Sequence, residues 1–171
     1  MMMRMLDCGG LDVMTDSVRR PDEDNPRGYY ELECVKKLAE ETAWLSGARG
    51  RVVKIVSSLL KFLPVEYDYA IVFLRRDIKE VLASQREMLG RRGETSAVSD
   101  ERLGELFAKH LAGTEHWIDD QPNMRVLSME YGEVLEAPAR ASAQLDGFLG
   151  GGLKTTEMAK VVDPCLYRQK R

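Results

Sequence analysis

Residues 69–85 read Tyr-Ala-Ile-Val-Phe-Leu-Arg-Arg-Asp-Ile-Lys-Glu-Val-Leu-Ala-Ser-Gln, and this stretch decides the fold. The run from Ala70 to Leu74 is apolar and rich in β-forming residues, which predicts a strand buried on both faces. After Asp77 the apolar residues recur at helical spacing, and Asp77 with Glu80 has the spacing of a helix-capping pair. A buried strand that leads directly into a helix indicates an α/β protein with a parallel sheet.

Two arginines, Arg75 and Arg76, stand at the junction between this predicted strand and helix. In an open α/β sheet, ligands bind beyond the carboxyl ends of the strands, where a helix N-terminus presents free backbone N–H groups to an anion. Arginines at such a point suggest a phosphate site. A pair of surface arginines at a sheet edge explains the same residues equally well, so both interpretations stay open here.

The composition of the whole chain limits the classes of protein to which it can belong. Its 171 residues fit one domain, 1–171, and a net charge of −3 implies no general affinity for nucleic acid. Cys8, Cys34 and Cys165 have no metal-binding or disulfide spacing, which is typical of reduced thiols in a cytoplasmic protein. No apolar run approaches the roughly 20 residues of a membrane span. We therefore expect a cytoplasmic protein with no membrane or nucleic-acid partner.

Other predicted elements alternate in the same way, so we expect a parallel sheet covered by helices on both faces. Residues 1–8 resemble the end of a helix with Met1, Met5 and Cys8 on one face. Residues 11–29 form a long loop, which indicates a functional or a simply mobile segment. The remaining predictions are a helix over 30–45, a buried strand over 51–56, a long helix capped by Ser99, a strand over 124–129, helices over 135–149 and 155–162, and a loose basic tail at 166–171.

Two kinds of polar residue fall on predicted buried positions. Lys54 interrupts the strand over 51–56, where its amine needs a polar partner. It can serve a ligand phosphate near the end of the strand, or reach solvent from an edge strand. His110 lies on the apolar stripe of the long helix, which favours a core histidine over a catalytic one, whereas His116 lies off the stripe and is predicted to be solvated.

The segment from Arg76 through Asp77 to Ser84, eight residues after the arginine, resembles the 3′-phosphate-binding segment of the P-loop sulfotransferases. The resemblance implies that Arg76 and Ser84 hold the 3′-phosphate of the sulfuryl donor, 3′-phosphoadenosine-5′-phosphosulfate. Asp77 and Ser84 are seven residues apart and so share a helix face. Ser84 read alone is only a small residue at the edge of the apolar stripe.

Other segments resemble the same family, so the likeness covers nearly the whole chain. Residues 124–150 are similar to the family's strand, Tyr-x-Glu/Asp-Leu, Pro, helix and Phe-Leu-Gly segment, which implies that Tyr131 lies near the donor nucleotide. Lys54 stands where the family often has a lysine after its second strand. Residues 22–31 resemble a segment of bacterial sulfotransferase-like proteins that usually lies near the acceptor.

The resemblance implies a three-layer α/β fold of the P-loop nucleotide hydrolase type. It also implies transfer of a sulfuryl group from that donor to a hydroxyl or amine of a small-molecule acceptor, with no metal. A kinase relative that uses ATP is a weaker alternative, because the spacing of Arg76 and Ser84 matches the sulfate donor.

Two departures from the family pattern limit these expectations. The family's first strand and its Gly-x-Pro-Arg-Ser-Gly-Thr-Ser-like loop, which binds the 5′-phosphosulfate, should precede the first helix, yet Met1 matches a position inside that helix. We therefore expect an N-terminally truncated domain with impaired transfer activity. The missing strand would be the central one, so the strands that begin at Ala70 and Met124 either pair directly or leave a gap for another chain. The alternative is a non-catalytic nucleotide-binding or interaction protein derived from the same fold.

The second departure concerns the general base. Many members of the family carry a histidine near the second strand, and Val56 stands at roughly that position here. Glu31 is the candidate replacement, because a carboxylate near the acceptor can take a hydroxyl proton. The other interpretation of Glu31 is that it only begins a helix.

Overall fold

Two parallel strands, β1 (Tyr69–Arg75) and β2 (Met124–Glu130), form the sheet at the centre of the fold. They pair in a register that runs from Tyr69 opposite Met124 to Arg75 opposite Glu130. The structure is a computed structural model, and it describes residues 1–16, 18–19, 21–22, 25, 28–91, 93 and 98–163. Both strands were predicted from their apolar runs and are confirmed, and they pair directly with each other. The basic tail at 166–171 lies outside the described residues.

Helices surround these strands in chain order. The first helix is α1 (Met2–Cys8), and β1 leads into α2 (Ile78–Arg91) and α3 (Asp100–Asp119), which together cross back to β2. After β2 come α4 (Tyr131–Glu136), α5 (Pro138–Leu149) and α6 (Thr155–Lys160). Three 3₁₀ segments precede β1, at Glu33–Lys37, Ala43–Ala48 and Ser57–Phe62. No helix in the described part of the chain is both long and apolar enough to cross a membrane.

The side chains of the strands alternate between two apolar clusters, one on each face of the sheet. Val72, Leu74, Leu127 and Met129 belong to the first cluster, which also contains buried residues of α1, α4, α5 and α6 (Met2, Met5, Leu6, Val134, Leu135, Ala141, Leu145 and Met158). The opposite face packs on a second cluster, which consists of Leu38, Leu45, Leu60, Leu63, Phe73 and Ile118 with partly buried Ile71 and Val126 around them. The protein is therefore a small mixed α/β domain with a two-stranded parallel sheet flanked by helices.

The predicted helix over 30–45 is wrong, because the chain forms two separate 3₁₀ segments there. Tyr30 has a backbone φ of 51°, which a right-handed helix excludes. The carboxylate of Asp16 accepts the backbone N–H of Glu33 and so fixes where the first segment begins. Leu38 and Leu45 are nevertheless buried in one cluster. The apolar spacing therefore reports burial of these side chains and not a continuous helix.

The predicted strand over 51–56 is also wrong, since only Val52 forms a bridge, with Val13 of the preceding loop. The N–H of Val52 donates to the carbonyl of Asp12 at 2.8 Å, and the N–H of Met14 donates to the carbonyl of Val52 at 2.9 Å. The apolar side chains of this segment divide between the clusters, with Val52 on the first and Ile55 on the second. The run is apolar because it spans two cores, so the sheet has two strands where three were expected.

The helical predictions at the two ends of the chain need smaller corrections. In α1 the buried residues are Met2, Met5 and Leu6, so the buried face is rotated from the predicted one. The helix predicted over 135–149 is divided into α4 and α5, because Pro138 in the first turn of α5 has no N–H to continue the preceding helix. The predicted helix over 155–162 ends at Lys160.

Candidate functional site

The register of the sheet brings Arg76 and Tyr131 together. Arg75 and Glu130 are paired at the carboxyl ends of β1 and β2, so the next residue of each strand leaves the sheet at the same edge. The guanidinium carbon of Arg76 lies 5.1 Å from the centre of the Tyr131 ring, which is a cation–π distance. Both residues line a cleft of about 260 Å³, together with Arg75, Asp77, Glu80, Glu130, Gly132, Glu133 and Glu136. Two residues predicted to bind the donor nucleotide therefore share one concave site.

The charge of this cleft is mostly negative, because five carboxylates outnumber two arginines in its lining. Arg76 Nε lies 3.3 Å from Glu80 Oε2, one helical turn further along. Arg75 Nε lies 3.4 Å from Glu115 Oε1 of α3 and 3.6 Å from Glu130 Oε1. Each arginine thus has a carboxylate nearby, and an anionic ligand has to compete with it.

The start of α2 forms one wall of the cleft, and it has the predicted cap. Asp77 Oδ1 accepts the backbone N–H of Lys79 at 2.8 Å, which is the geometry of an N-cap residue. This carboxylate compensates the positive end of the helix. Burial raises the pKa of Tyr131, while the neighbouring Arg76 acts in the opposite direction. The Tyr131 hydroxyl therefore remains a neutral hydrogen-bonding group at physiological pH.

Ser84, the third residue predicted at the nucleotide, lies on α2 and is half-buried. It is not among the residues that line the cleft. The described geometry thus brings together Arg76 and Tyr131 but leaves Ser84 outside the cleft that they share.

A second cluster joins the two residues predicted to take part in the chemistry. Lys54 Nζ lies 3.3 Å from Glu31 Oε1 and donates to the carbonyl oxygen of Tyr29 at 3.1 Å. Arg19 approaches the same oxygen of Glu31 at 3.3 Å and stacks on the Tyr29 ring, 3.4 Å from its centre. About a quarter of the Glu31 side chain is exposed, so this carboxylate is shared by two cations but is still open to solvent. None of these residues lines the cleft around Arg76.

Contacts between the loop before residue 17 and the rest of the chain hold this second cluster in place. Arg51 Nε and Nη2 donate to the two carboxylate oxygens of Asp12 at 2.7 and 3.1 Å. Thr15 Oγ1 donates to the carbonyl of Glu31 at 3.0 Å. Backbone N–H groups of Glu33 and Val18 lower the pKa of Asp16 by hydrogen bonding to its carboxylate. The long loop is therefore attached, through the parts described, on both sides of Glu31.

Some contacts near these sites were not predicted. Glu80 was identified only as a capping residue, although its position four residues after Arg76 on a helix permits an ion pair. Arg19 has no sequence feature that points to Glu31. His110 is exposed on α3, so its prediction as a core histidine is wrong, and its Nε2 lies 2.9 Å from Ser57 Oγ. His116 is exposed, as predicted.

Within the described part of the chain, no three His, Cys, Asp or Glu residues are arranged to hold a metal ion. Three comparisons with known proteins found no match: no family model, no curated protein and no solved structure matches this chain.

Proposed function

We propose that this chain is a sulfotransferase-like protein whose cleft at the carboxyl edge of the sheet binds the 3′-phosphate of a 3′-phosphoadenosine nucleotide. The observation that carries the proposal is the approach of Arg76 to Tyr131 beyond the paired ends of two parallel strands, 5.1 Å from guanidinium to ring centre. This edge is where open α/β sheets bind ligands.

The two residues have complementary roles in this proposal. A guanidinium presents a planar fork of N–H donors that matches two oxygens of a phosphate. The Tyr131 ring lies beside this guanidinium and supplies an apolar surface for the nucleoside. Ser84 would complete the phosphate site from α2 only after a rearrangement, since it does not line the cleft.

Sulfuryl transfer is the reaction that the P-loop sulfotransferase resemblance implies. The sulfuryl group would pass in line from the bridging oxygen of 3′-phosphoadenosine-5′-phosphosulfate to a hydroxyl or amine of a small acceptor. Glu31 would accept the acceptor proton, and Lys54, 3.3 Å away, would keep that carboxylate oriented. The contact between the two residues supports this assignment of roles.

The first test is titration of the whole chain with adenosine 3′,5′-bisphosphate by calorimetry. We expect saturable binding that Arg76→Ala weakens roughly tenfold to a hundredfold, because a hydrogen bond to a charged group contributes about 1.5–3 kcal/mol. Arg125→Ala is the matched control, since Arg125 also stacks on a ring at 5.1 Å but lies near the opposite end of β2. Equal loss in both variants would contradict a role for Arg76 in the phosphate site.

Glu80→Gln gives a second, opposite result. Because Glu80 contacts Arg76 at 3.3 Å, removal of its charge should strengthen binding of the bisphosphate several-fold. Adenosine 5′-monophosphate, which lacks the 3′-phosphate, should gain nothing from the same substitution.

A second candidate function is that of a non-catalytic interaction protein derived from the same fold. The observation that favours it is the acidic lining of the cleft, where five carboxylates face the space that a phosphate would enter. Absence of saturable bisphosphate binding by both the native chain and Glu80→Gln would select this candidate over the first.

A further inference from the structure

Ser57 and His110 form a hydrogen-bonded pair that the proposed nucleotide site does not use. Ser57 Oγ lies 2.9 Å from His110 Nε2, although the residues are 53 positions apart in the chain. In the tautomer protonated at Nδ1, Nε2 accepts the proton of the serine hydroxyl. A nucleophile and a base within hydrogen-bonding distance are the two parts that covalent catalysis by serine requires.

The surrounding packing holds the two backbones in position. Ser57 begins the 3₁₀ segment Ser57–Phe62, whose Leu60 is buried in the second cluster. Leu111, directly after His110 on α3, packs on the same cluster. Both side chains therefore project from anchored elements, which is the arrangement that keeps a catalytic pair in register.

Exposed apolar side chains stand on both sides of the pair. Val56, directly before Ser57, is 56% exposed, and Leu106 is 46% exposed. Leu106 lies four residues before His110 on α3 and so shares its helix face. An apolar surface beside an accessible serine suits a small acyl group, whereas charged surroundings would suit a charged substrate.

We propose that Ser57 and His110 are a second catalytic site, which hydrolyses small apolar esters that have a good leaving group. Ser57 Oγ attacks the carbonyl carbon while its proton passes to His110 Nε2. The bond from that carbon to the leaving oxygen then breaks, and His110 gives its proton to the leaving group. Water attacks the acyl-serine by the same exchange, which releases the carboxylic acid and restores the hydroxyl.

The test is hydrolysis of p-nitrophenyl acetate and p-nitrophenyl butyrate by the whole chain, followed through the released p-nitrophenolate. General-base assistance contributes about 10²–10⁴-fold, so we expect Ser57→Ala and His110→Gln each to reduce the enzymatic rate constant at least tenfold. Ser58→Ala and His116→Ala are the matched controls, because both residues are exposed neighbours on the same elements and should leave the rate unchanged.

Mass spectrometry of the native chain, quenched during turnover, supplies a readout that does not depend on the folding of any variant. The acetyl group should appear on Ser57 and not on Ser58. Equal rates in the native chain and Ser57→Ala would overturn the proposal, as would acetylation confined to histidine or lysine side chains, since the exposed imidazole alone would then account for the hydrolysis.

Discussion

Replacement of Gly9 by alanine tests how closely α1 packs against α6, the contact on which the first cluster depends. A methyl group at this position would lie 2.9 Å from Met158 Sδ, 3.0 Å from Met158 Cγ and 3.1 Å from the carbonyl oxygen of Leu6. Met158 is fully buried, so its side chain cannot move into solvent to avoid the methyl group. The carbonyl of Gly9 also accepts the N–H of Lys154 at 3.0 Å, which keeps the two segments together.

The expected loss of stability follows from these contacts. Overpacking of a well-filled core costs about 1–3 kcal/mol. The φ of Gly9 is −66°, which alanine adopts without strain, so about 0.4–1 kcal/mol returns through the lower entropy of the unfolded chain. The net loss should be about 1–2 kcal/mol, and for a chain of this size it lowers the Tm by roughly 2–8 °C. Thermal unfolding followed by circular dichroism measures this change.

Gly47→Ala is the matched control, because no atom lies within 4 Å of the added methyl and the backbone there is not left-handed. It should leave the Tm unchanged or raise it slightly. In a Met158→Ala background the two sulfur-side contacts disappear, so Gly9→Ala should become neutral or stabilising, with a coupling of about 1 kcal/mol or more. A Gly9→Ala variant as stable as the native chain, or an equal loss in both backgrounds, would refute the close packing of α1 on Met158.

Two further predictions concern a helix cap and an alkaline transition. Ser99 Oγ accepts the N–H of Arg102 at 3.4 Å, so Ser99→Ala should cost about 0.5–1 kcal/mol, seen as a lower urea midpoint with an unchanged slope; an unchanged midpoint would count against the cap, and Ser58→Ala is the control. Burial raises the pKa of Tyr69 to about 12, and its hydroxyl donates to the Pro64 carbonyl at 2.9 Å. The unfolded state ionises first, near pH 10, so this contribution to stability is complete below pH 10 and is lost as the pH rises towards 12. Tyr69→Phe should flatten that part of the urea-stability profile, and an identical profile would contradict the shift.

The sequence predicts best where local pattern and burial agree. The strand at β1 and the helix at α2 follow from an apolar run and a helical repeat within one short stretch, and β2 follows from a second such run. The segment over 51–56 has the same composition as β1 but forms a single bridge at Val52, because its side chains belong to two different clusters. Composition does not distinguish a strand buried in one sheet from an extended segment that spans two cores.

The candidate sites divide in a similar way. The approach of Arg76 to Tyr131 follows once β1 and β2 are known to be parallel neighbours in register, because each residue is the first after its strand. The contacts of Lys54 with Glu31, and of Ser57 with His110, join segments 23 and 53 residues apart through irregular backbone. Their proximity depends on the path of these segments, which no periodicity in the sequence encodes.

In both candidate sites, the cation predicted to meet an anionic ligand already contacts a carboxylate. Arg76 lies 3.3 Å from Glu80, and Lys54 lies 3.3 Å from Glu31. A phosphate or sulfonate would therefore bind by exchange with a side-chain carboxylate, so affinity reflects the difference between two anions and not the full attraction of one. A phosphate gains in this exchange through bidentate hydrogen bonds to a guanidinium and through its greater charge. The exchange explains why Glu80→Gln is more diagnostic than loss of Arg76: it should strengthen nucleotide binding only if the ligand and Glu80 compete for the same guanidinium.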